Sequence, residues 1–472
     1  MNGSAFFARP PVADALVRAP GRGGPCRDRL LVLVALDWRR AKDPRLPLGH
    51  ASLAAAVAET EQVDLIHGAF SVTDDRNSPA RIASAILAAC SDLPASRVDV
   101  ALGVYAWNEG WVCRVLALVR QGGFCGRILL GGPQISFAPG GLEERYPEAD
   151  IFVRGPGERV VVALVLGQEP CQIEGVHRAG SPDQEQHSAL DVCSLPSPFL
   201  TGVLPLEVPF QRWESQRGCP FSCAFCQHRQ PGARTRLSAF SAARQEAEVR
   251  LFCKAGVRDI AVIDPLFDGA RALRLLGSFR RHGYSGRLSV QCRFERIDEA
   301  FLEACRGLDI RLEFGLQTLN PQAELAIGRR NRVERVEAVI RRLRDLGFTY
   351  EVSVIYGLPE QTLDSFRETL DRLLRWRVPT IKAFPLLLLR GTALDRDRKR
   401  WSLVEDEAPV PKVISSDSFS RADWVRMDAL AGALQASEGQ HPPSIMSLER
   451  MVRELLHRPS STSREEPCLG SG

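Results

Sequence analysis

Three cysteines fall within eight positions of the stretch "RWESQRGCPFSCAFCQHRQPG" (212–232): Cys219, Cys223 and Cys226, spaced C-x3-C-x2-C. A structural zinc site takes four protein ligands, often as two C-x2-C knuckles. Here the next cysteine, Cys253, lies 27 residues on, inside a helical pattern, so zinc is poorly supported. Three thiolates instead suit three irons of a 4Fe–4S cube and leave the fourth iron open to a small molecule. Cys219, Cys223 and Cys226 are therefore the candidate catalytic and metal-binding residues.

The elements that must position them follow from periodicity. The cysteines come after a strand pattern, "FQRWESQRG" (210–218), the first of six. The others are 258–264, 286–292, 309–317, 350–357 and 380–389, with helical segments at 238–255, 269–282, 298–306, 332–347 and 362–376. Such alternation suits a partial (β/α)6 TIM-like barrel, and barrel active sites lie at the carboxyl ends of the strands. An earlier series alternates in the same way. "LLVLVAL" (30–36) is a continuous apolar run, as expected of a strand covered on both faces. Strands near 62–70, 98–107, 126–132 and 149–155 follow it, which predicts a doubly wound parallel sheet of Rossmann or flavodoxin-like type. The expected divisions are a disordered segment at 1–28, the sheet domain at 29–166 and a linker at 167–209. The barrel takes 210–395, a substrate-side region 396–440, and a mostly disordered tail with a short helix 441–472.

With the cysteine spacing and the barrel pattern in place, the sequence resembles the radical S-adenosylmethionine (SAM) superfamily. C-x3-C-x2-C with Phe225 before the last cysteine is similar to its cluster motif. "EFGLQTLNPQAELAIGR" (313–329) resembles its fourth-strand segment, which implies Glu313 and Gln317 near the nucleoside. "VIYGLPEQTLDSF" (354–366) resembles the fifth-strand glycine motif, which implies adenine close to Gly357. "AVIDPLFD" (261–268) stands where the second strand ends beside the methionyl amine. It lacks the family's G-G-E, and Asp264 takes that place. The resemblance implies an open iron chelating SAM, and reductive cleavage to a 5′-deoxyadenosyl radical.

A parallel sheet ahead of such a barrel resembles the cobalamin-binding arrangement within the superfamily. "LLGGPQISFAPGGLEERYPEADIFVRGPGE" (129–158) is similar to that domain's fourth and fifth strands. The resemblance implies cofactor contacts from Trp107, Asn108, Gly131, Gly132, Gln134, Ser136, Gly155, Gly157 and Glu158. The D-x-H-x-x-G motif, whose histidine binds cobalt from below, is absent after the first strand; "DWRRAKDPRLPLGH" stands there. A sheet domain that binds nothing and only covers the barrel is the alternative. No G-x-G-x-x-G follows the first strand, which argues against a dinucleotide.

The chain as a whole narrows the function. Its 472 residues are 44% apolar, and 61 basic against 57 acidic side chains give +4, no electrostatic case for nucleic acid. The thirteen cysteines come with no secretory pattern and no apolar run long enough for a membrane span, so the expected location is cytoplasmic. The resemblance implies 4Fe–4S, SAM and cobalamin as cofactors, and methylation of an unactivated carbon in a small-molecule or peptide natural-product intermediate. It also implies an external electron donor of flavodoxin or ferredoxin type. Non-methylating radical chemistry, RNA modification, and a non-catalytic iron–sulfur protein are the alternatives.

Overall fold

The computed structural model describes residues 14–19, 29–60, 62–91, 93–189, 192–228 and 237–456. They form two compact units, one of the described residues up to 212 with 238–257 and one of those within 213–228 and at 237 with 258–456.

The first unit contains β1 (Val17–Arg18), β2 (Arg29–Asp37), α1 (Leu48–Ala58), β3 (Val63–Ser71), α2 (Pro79–Ala89), β4 (Val98–Gly103) and α3 (Glu109–Gln121). It continues with β5 (Arg127–Gly131), α4 (Pro133–Ser136), α5 (Leu142–Arg145), β6 (Ile151–Val153), α6 (Glu158–Val165) and β7 (Val176–Arg178). One seven-stranded sheet runs in the order β1-β3-β2-β4-β5-β6-β7. It is parallel from β3 to β6, and Leu30–Val34 are buried because helices cover both faces. The strand order reverses between β2 and β4, so the ligand crevice of such a sheet is expected at the carboxyl ends of those two strands.

Two short edge strands correct the expected boundaries. Val17–Arg18, within the segment expected to be disordered, pairs antiparallel with β3. Residues 1–13 and 20–28 lie outside the described residues. Val176–Arg178, within the expected linker, pairs antiparallel with β6. The rest of that linker is also anchored. Phe199 meets Phe252 edge to face at 4.9 Å, and the Ser197 hydroxyl donates to Glu248 at 2.5 Å. Both partners lie on α7 (Ala242–Ala255), which groups with the first unit.

The barrel strands are β8 (Phe210–Trp213), β11 (Asp259–Val262), β12 (Arg287–Cys292), β13 (Asp309–Gln317), β14 (Thr349–Tyr356) and β15 (Ile381–Pro385), with the two-residue strands β9 (Gln216–Arg217) and β10 (Ser238–Ala239) after the first. They form an open six-stranded sheet in chain order, parallel from β11 to β15. The intervening helices are α8 (Gly269–Arg281), α9 (Glu299–Cys305), α10 (Pro321–Ala326), α11 (Val333–Asp345) and α12 (Leu363–Arg375). β13 shows the consequence for side chains: Ile310, Leu312, Phe314 and Leu316 are buried, while Arg311, Glu313, Gly315 and Gln317 alternate with them on the other face. After β15 come α13 (Ala393–Arg396), β16 (Val404–Glu405), β17 (Val413–Ser415), α14 (Arg421–Ala436) and α15 (Ile445–Leu456). A Ser420–Asp423 capping box starts α14. Residues 457–472 of the expected tail lie outside the described residues.

Candidate functional site

The cysteine loop leaves the first barrel strand under the control of one buried carboxylate. Asp264, 0% exposed, accepts the backbone N–H groups of Ser215 at 2.7 Å and Gln216 at 3.1 Å. It also accepts the Ser215 hydroxyl and pairs with Arg271 at 2.7 Å. Burial pushes this carboxyl up, opposed by Arg271 and the three other donors. Both oxygens are thus occupied within the chain. In the structure Asp264 anchors the segment entering the cysteine loop, a role apart from the contact with a ligand amine that the resemblance implies.

The loop itself is pinned from three sides. Ala224 N–H donates to the Ile327 carbonyl at 2.8 Å, Leu394 N–H donates to the Ala224 carbonyl at 3.0 Å, and the Gln227 amide donates to the Arg390 carbonyl at 2.8 Å. Each thiol has a nitrogen donor. Phe221 N–H serves Cys219, His228 N–H serves Cys226 at 3.4 Å, and the Arg329 guanidinium lies 3.7 Å from the Cys223 sulfur. The three thiols are close enough to repel one another as thiolates, and burial pushes Cys219 up and Cys226 to about 11. Among the described residues no three Cys, His, Asp or Glu side chains converge on one point as ligands of a single ion would. A cluster that takes one thiolate per iron makes no such demand. The half-buried Phe225 lies in the same loop.

Two arginines that sequence reasoning missed flank this loop. Arg293, following β12, and Arg329 are each 8% exposed. Arg293 lies 3.7 Å from the centre of the Phe221 ring. Arg329 also donates to the Gly315 carbonyl, and its Nε is buried without a partner. No carboxylate within salt-bridge reach of Arg329 is found among the described residues. A buried guanidinium in that state suits an anionic ligand. Arginine is common in this chain, so neither residue carried a signal in the sequence.

Glu313 is on the half-exposed face of β13 and accepts from the Gln291 amide. Gln317 ends that strand at φ +74°, where its register against β14 shifts. A non-glycine residue held in the left-handed region costs energy, and such positions concentrate at functional sites. Gly357 has φ +86°, and an added Cβ would lie 3.1 Å from the Val413 carbonyl. The approach of β17 and the turn therefore account for this glycine without any adenine.

In the first unit the expected contact residues divide into two groups. Some hold the chain. Asn108 donates to the Leu36 and Gly103 carbonyls, and the Gln134 amide donates to Glu109 at 2.7 Å. Ser136 accepts Gly155 N–H at 2.9 Å, and Glu158 accepts the Ser52 hydroxyl at 3.0 Å. An added Cβ on Gly132 would sit 2.7 Å from the Val104 carbonyl, and one on Gly155 3.0 Å from the Ser188 hydroxyl. Others have no such duty. The Trp107 indole N–H is buried without a partner, while its ring stacks on Tyr105 at 4.6 Å. A Cβ on Gly131 or Gly157 would meet nothing closer than 3.5 Å. Both would be in ordinary contact with Val153, and Gly157 with Leu53 as well, so the unpaired Trp107 donor at the strands' carboxyl ends is what fits a ligand bearing amides. Asp37, at the end of β2, adds a carboxyl oxygen buried without a partner, and burial pushes its pKa to about 6.

Residues 213–373 match the radical SAM superfamily. Over 71% of its length the chain is 27% identical to the 2-(S-pantetheinyl)-carbapenam-3-carboxylate methyltransferase of Streptantibioticus cattleyicolor. The same share is 27% identical to the cobalamin-dependent radical SAM methyltransferase TokK of Streptomyces tokunonensis. The chain spans 56% of the length of each of these relatives. The radical SAM methyltransferase TsrM of Kitasatospora setae, solved with cobalamin and a [4Fe-4S] cluster bound, shares the fold. Its TM-score is 0.64, with 19% identity, 85% of this chain and 81% of that one covered.

Proposed function

We propose that this chain, whose residues 213–373 match the radical SAM superfamily, is a cobalamin-dependent radical SAM enzyme. Its substrate is a small molecule or a peptide-linked intermediate, methylated at an unactivated carbon. The observation that carries the reading is the cysteine loop at the mouth of the barrel strands. It holds three thiols, each with its own N–H donor, beside a buried guanidinium whose Nε has no partner among the described residues.

When bound, the cluster would supply an electron, SAM the methyl and deoxyadenosyl groups, and cobalamin a carrier for the methyl group. The chain's own residues bind and orient. Cys219, Cys223 and Cys226 would each hold one iron. Arg329 would take the carboxylate of SAM through a charge-assisted hydrogen bond from its unpartnered Nε. Glu313 and Gln317 would orient the nucleoside from one strand, with Gln291 fixing the Glu313 carboxylate. In the first unit, the Trp107 N–H would donate to an amide carbonyl of the corrin. An external donor of flavodoxin or ferredoxin type would provide the electron.

A second reading keeps the radical chemistry without cobalamin. The internal bonding of Asn108, Gln134 and Ser136 favours it, since those amides and hydroxyl are already engaged. Anaerobic expression with hydroxocobalamin, followed by gel filtration, separates the two. About one corrin per chain by its visible bands supports the first reading. An iron-loaded chain that elutes free of corrin removes the cobalamin half.

A further inference from the structure

The residue that the proposed chemistry leaves unexplained is Arg293. Its backbone directly follows β12, and its side chain is buried beside the cysteine loop without ligating anything. The guanidinium lies 3.7 Å from the centre of Phe221, a residue between the first two cysteines. Its Nε donates to Glu295 at 3.3 Å, and the second oxygen of that carboxylate is buried without a partner. Its charge acts on Cys219 and Cys223, and it repels the neighbouring Arg329.

Two buried cations side by side are unfavourable unless an anion shares the space. Three thiolates around an iron–sulfur cube provide one, and the cube becomes more negative by one charge on reduction. A fixed cation next to it therefore favours the reduced form. Local charge and donors to the sulfurs are among the factors that set cluster potentials. Stacking on Phe221 keeps that cation in place, since a guanidinium over an aromatic face is held by the ring's quadrupole.

We infer that Arg293 is a positioning residue that raises the reduction potential of the cluster held by Cys219, Cys223 and Cys226. The inference rests on the cluster reading above. In the step concerned, one electron passes from an external low-potential donor to the cluster, and no bond is made or broken. Glu295 opposes Arg293 by neutralising part of its charge.

The test is an EPR-monitored redox titration of the anaerobically reconstituted full chain with dithionite, after iron and sulfide have been counted. Iron content comes first because a wild-type chain without iron overturns the cluster reading itself, and this inference falls with it. With clusters loaded, Arg293→Gln should lower the ratio of reduced to oxidised cluster at a fixed potential about tenfold, or 59 mV for one electron. Arg293→Lys, which keeps the charge, should stay close to wild type. Glu295→Gln should move the potential upward, opposite in sign. Arg293→Gln titrating with the wild type at full iron content would overturn the inference. Should Arg293→Gln fail to load, Glu295→Gln decides alone: an unchanged or lowered potential overturns the inference, and a raised one supports it.

Discussion

Replacing Asp264 by Asn separates a carboxylate that touches a ligand from one that holds the chain. In the structure it holds the chain, with four donors on two oxygens and no exposure. The Asn variant keeps one acceptor and loses the charge. The Arg271 guanidinium, with 11% of its side chain exposed, is then left without its partner. Removing one member of a buried ion pair costs about 3–5 kcal/mol, largely because the other charge stays buried. For a unit of this size, each kcal/mol shifts the melting temperature by about 2–4 °C, so a loss of roughly 10 °C is expected. Iron uptake should fall with it, since Ser215 and Gln216 lead into the cysteine loop. Asp264→Asn with Arg271→Gln should recover much of the loss, because the orphaned charge is removed. Calorimetry and an iron assay on the three proteins make the comparison. If Asp264→Asn melts with the wild type and loses only SAM affinity, Asp264 is a ligand contact and this reasoning fails.

Other positions make shorter tests. Gln317→Gly relieves a left-handed backbone, so it should leave stability unchanged or raised while weakening SAM binding; equal affinity by calorimetric titration would remove Gln317 from the site. Trp107→Phe and Trp107→Leu each remove a buried donor that has no partner, so both should fold normally. Each should retain less cobalamin after gel filtration, and undiminished corrin content would argue against the crevice. The buried His50–His67 pair, 3.3 Å apart, gives a pH signature. Burial holds His67 at about 4, below its ordinary 6.5, and His50 is lowered as well. The unfolded chain therefore binds protons that the folded one refuses. Wild-type stability relative to His67→Leu should be constant above about pH 7 and fall by about 3 kcal/mol as pH drops from 6.5 to 4. Asp37, raised to about 6, contributes with the opposite sign in both proteins and cancels in the difference. A flat difference in urea midpoints across that range would contradict the buried neutral pair.

The architecture was legible because strands covered on both faces leave an apolar run that little else produces, as in Leu30–Leu36. The parallel sheet, the open barrel and the order of the two units all follow from such runs. Edge strands of two or three residues, Val17–Arg18 and Val176–Arg178, are too short to show a period. The anchoring of residues 192–204 depends on distant partners on α7. At the site, spacing marks Cys219, Cys223 and Cys226 as candidates, and the resemblance of its strand segment marks Gln317. The donors that fill the Asp264 carboxylate come from Ser215, Gln216 and Arg271, and no sequence pattern shows that they meet it. Arg293 and Arg329 could not be singled out, because their significance lies in burial beside the loop. The resemblance implies adenine beside Gly357, and the nearby Val413 carbonyl gives this glycine a packing reason that the sequence does not show.

The central claim is that the three cysteines hold a cluster that acts on SAM. The direct measurement is anaerobic reconstitution, an iron count, and mass spectrometry of the nucleosides formed from SAM under dithionite. The account predicts about four irons per chain and release of 5′-deoxyadenosine or S-adenosylhomocysteine, both abolished by Cys219→Ala, Cys223→Ala or Cys226→Ala. An iron-loaded chain that releases neither nucleoside, or a cysteine variant that still releases one, would contradict it.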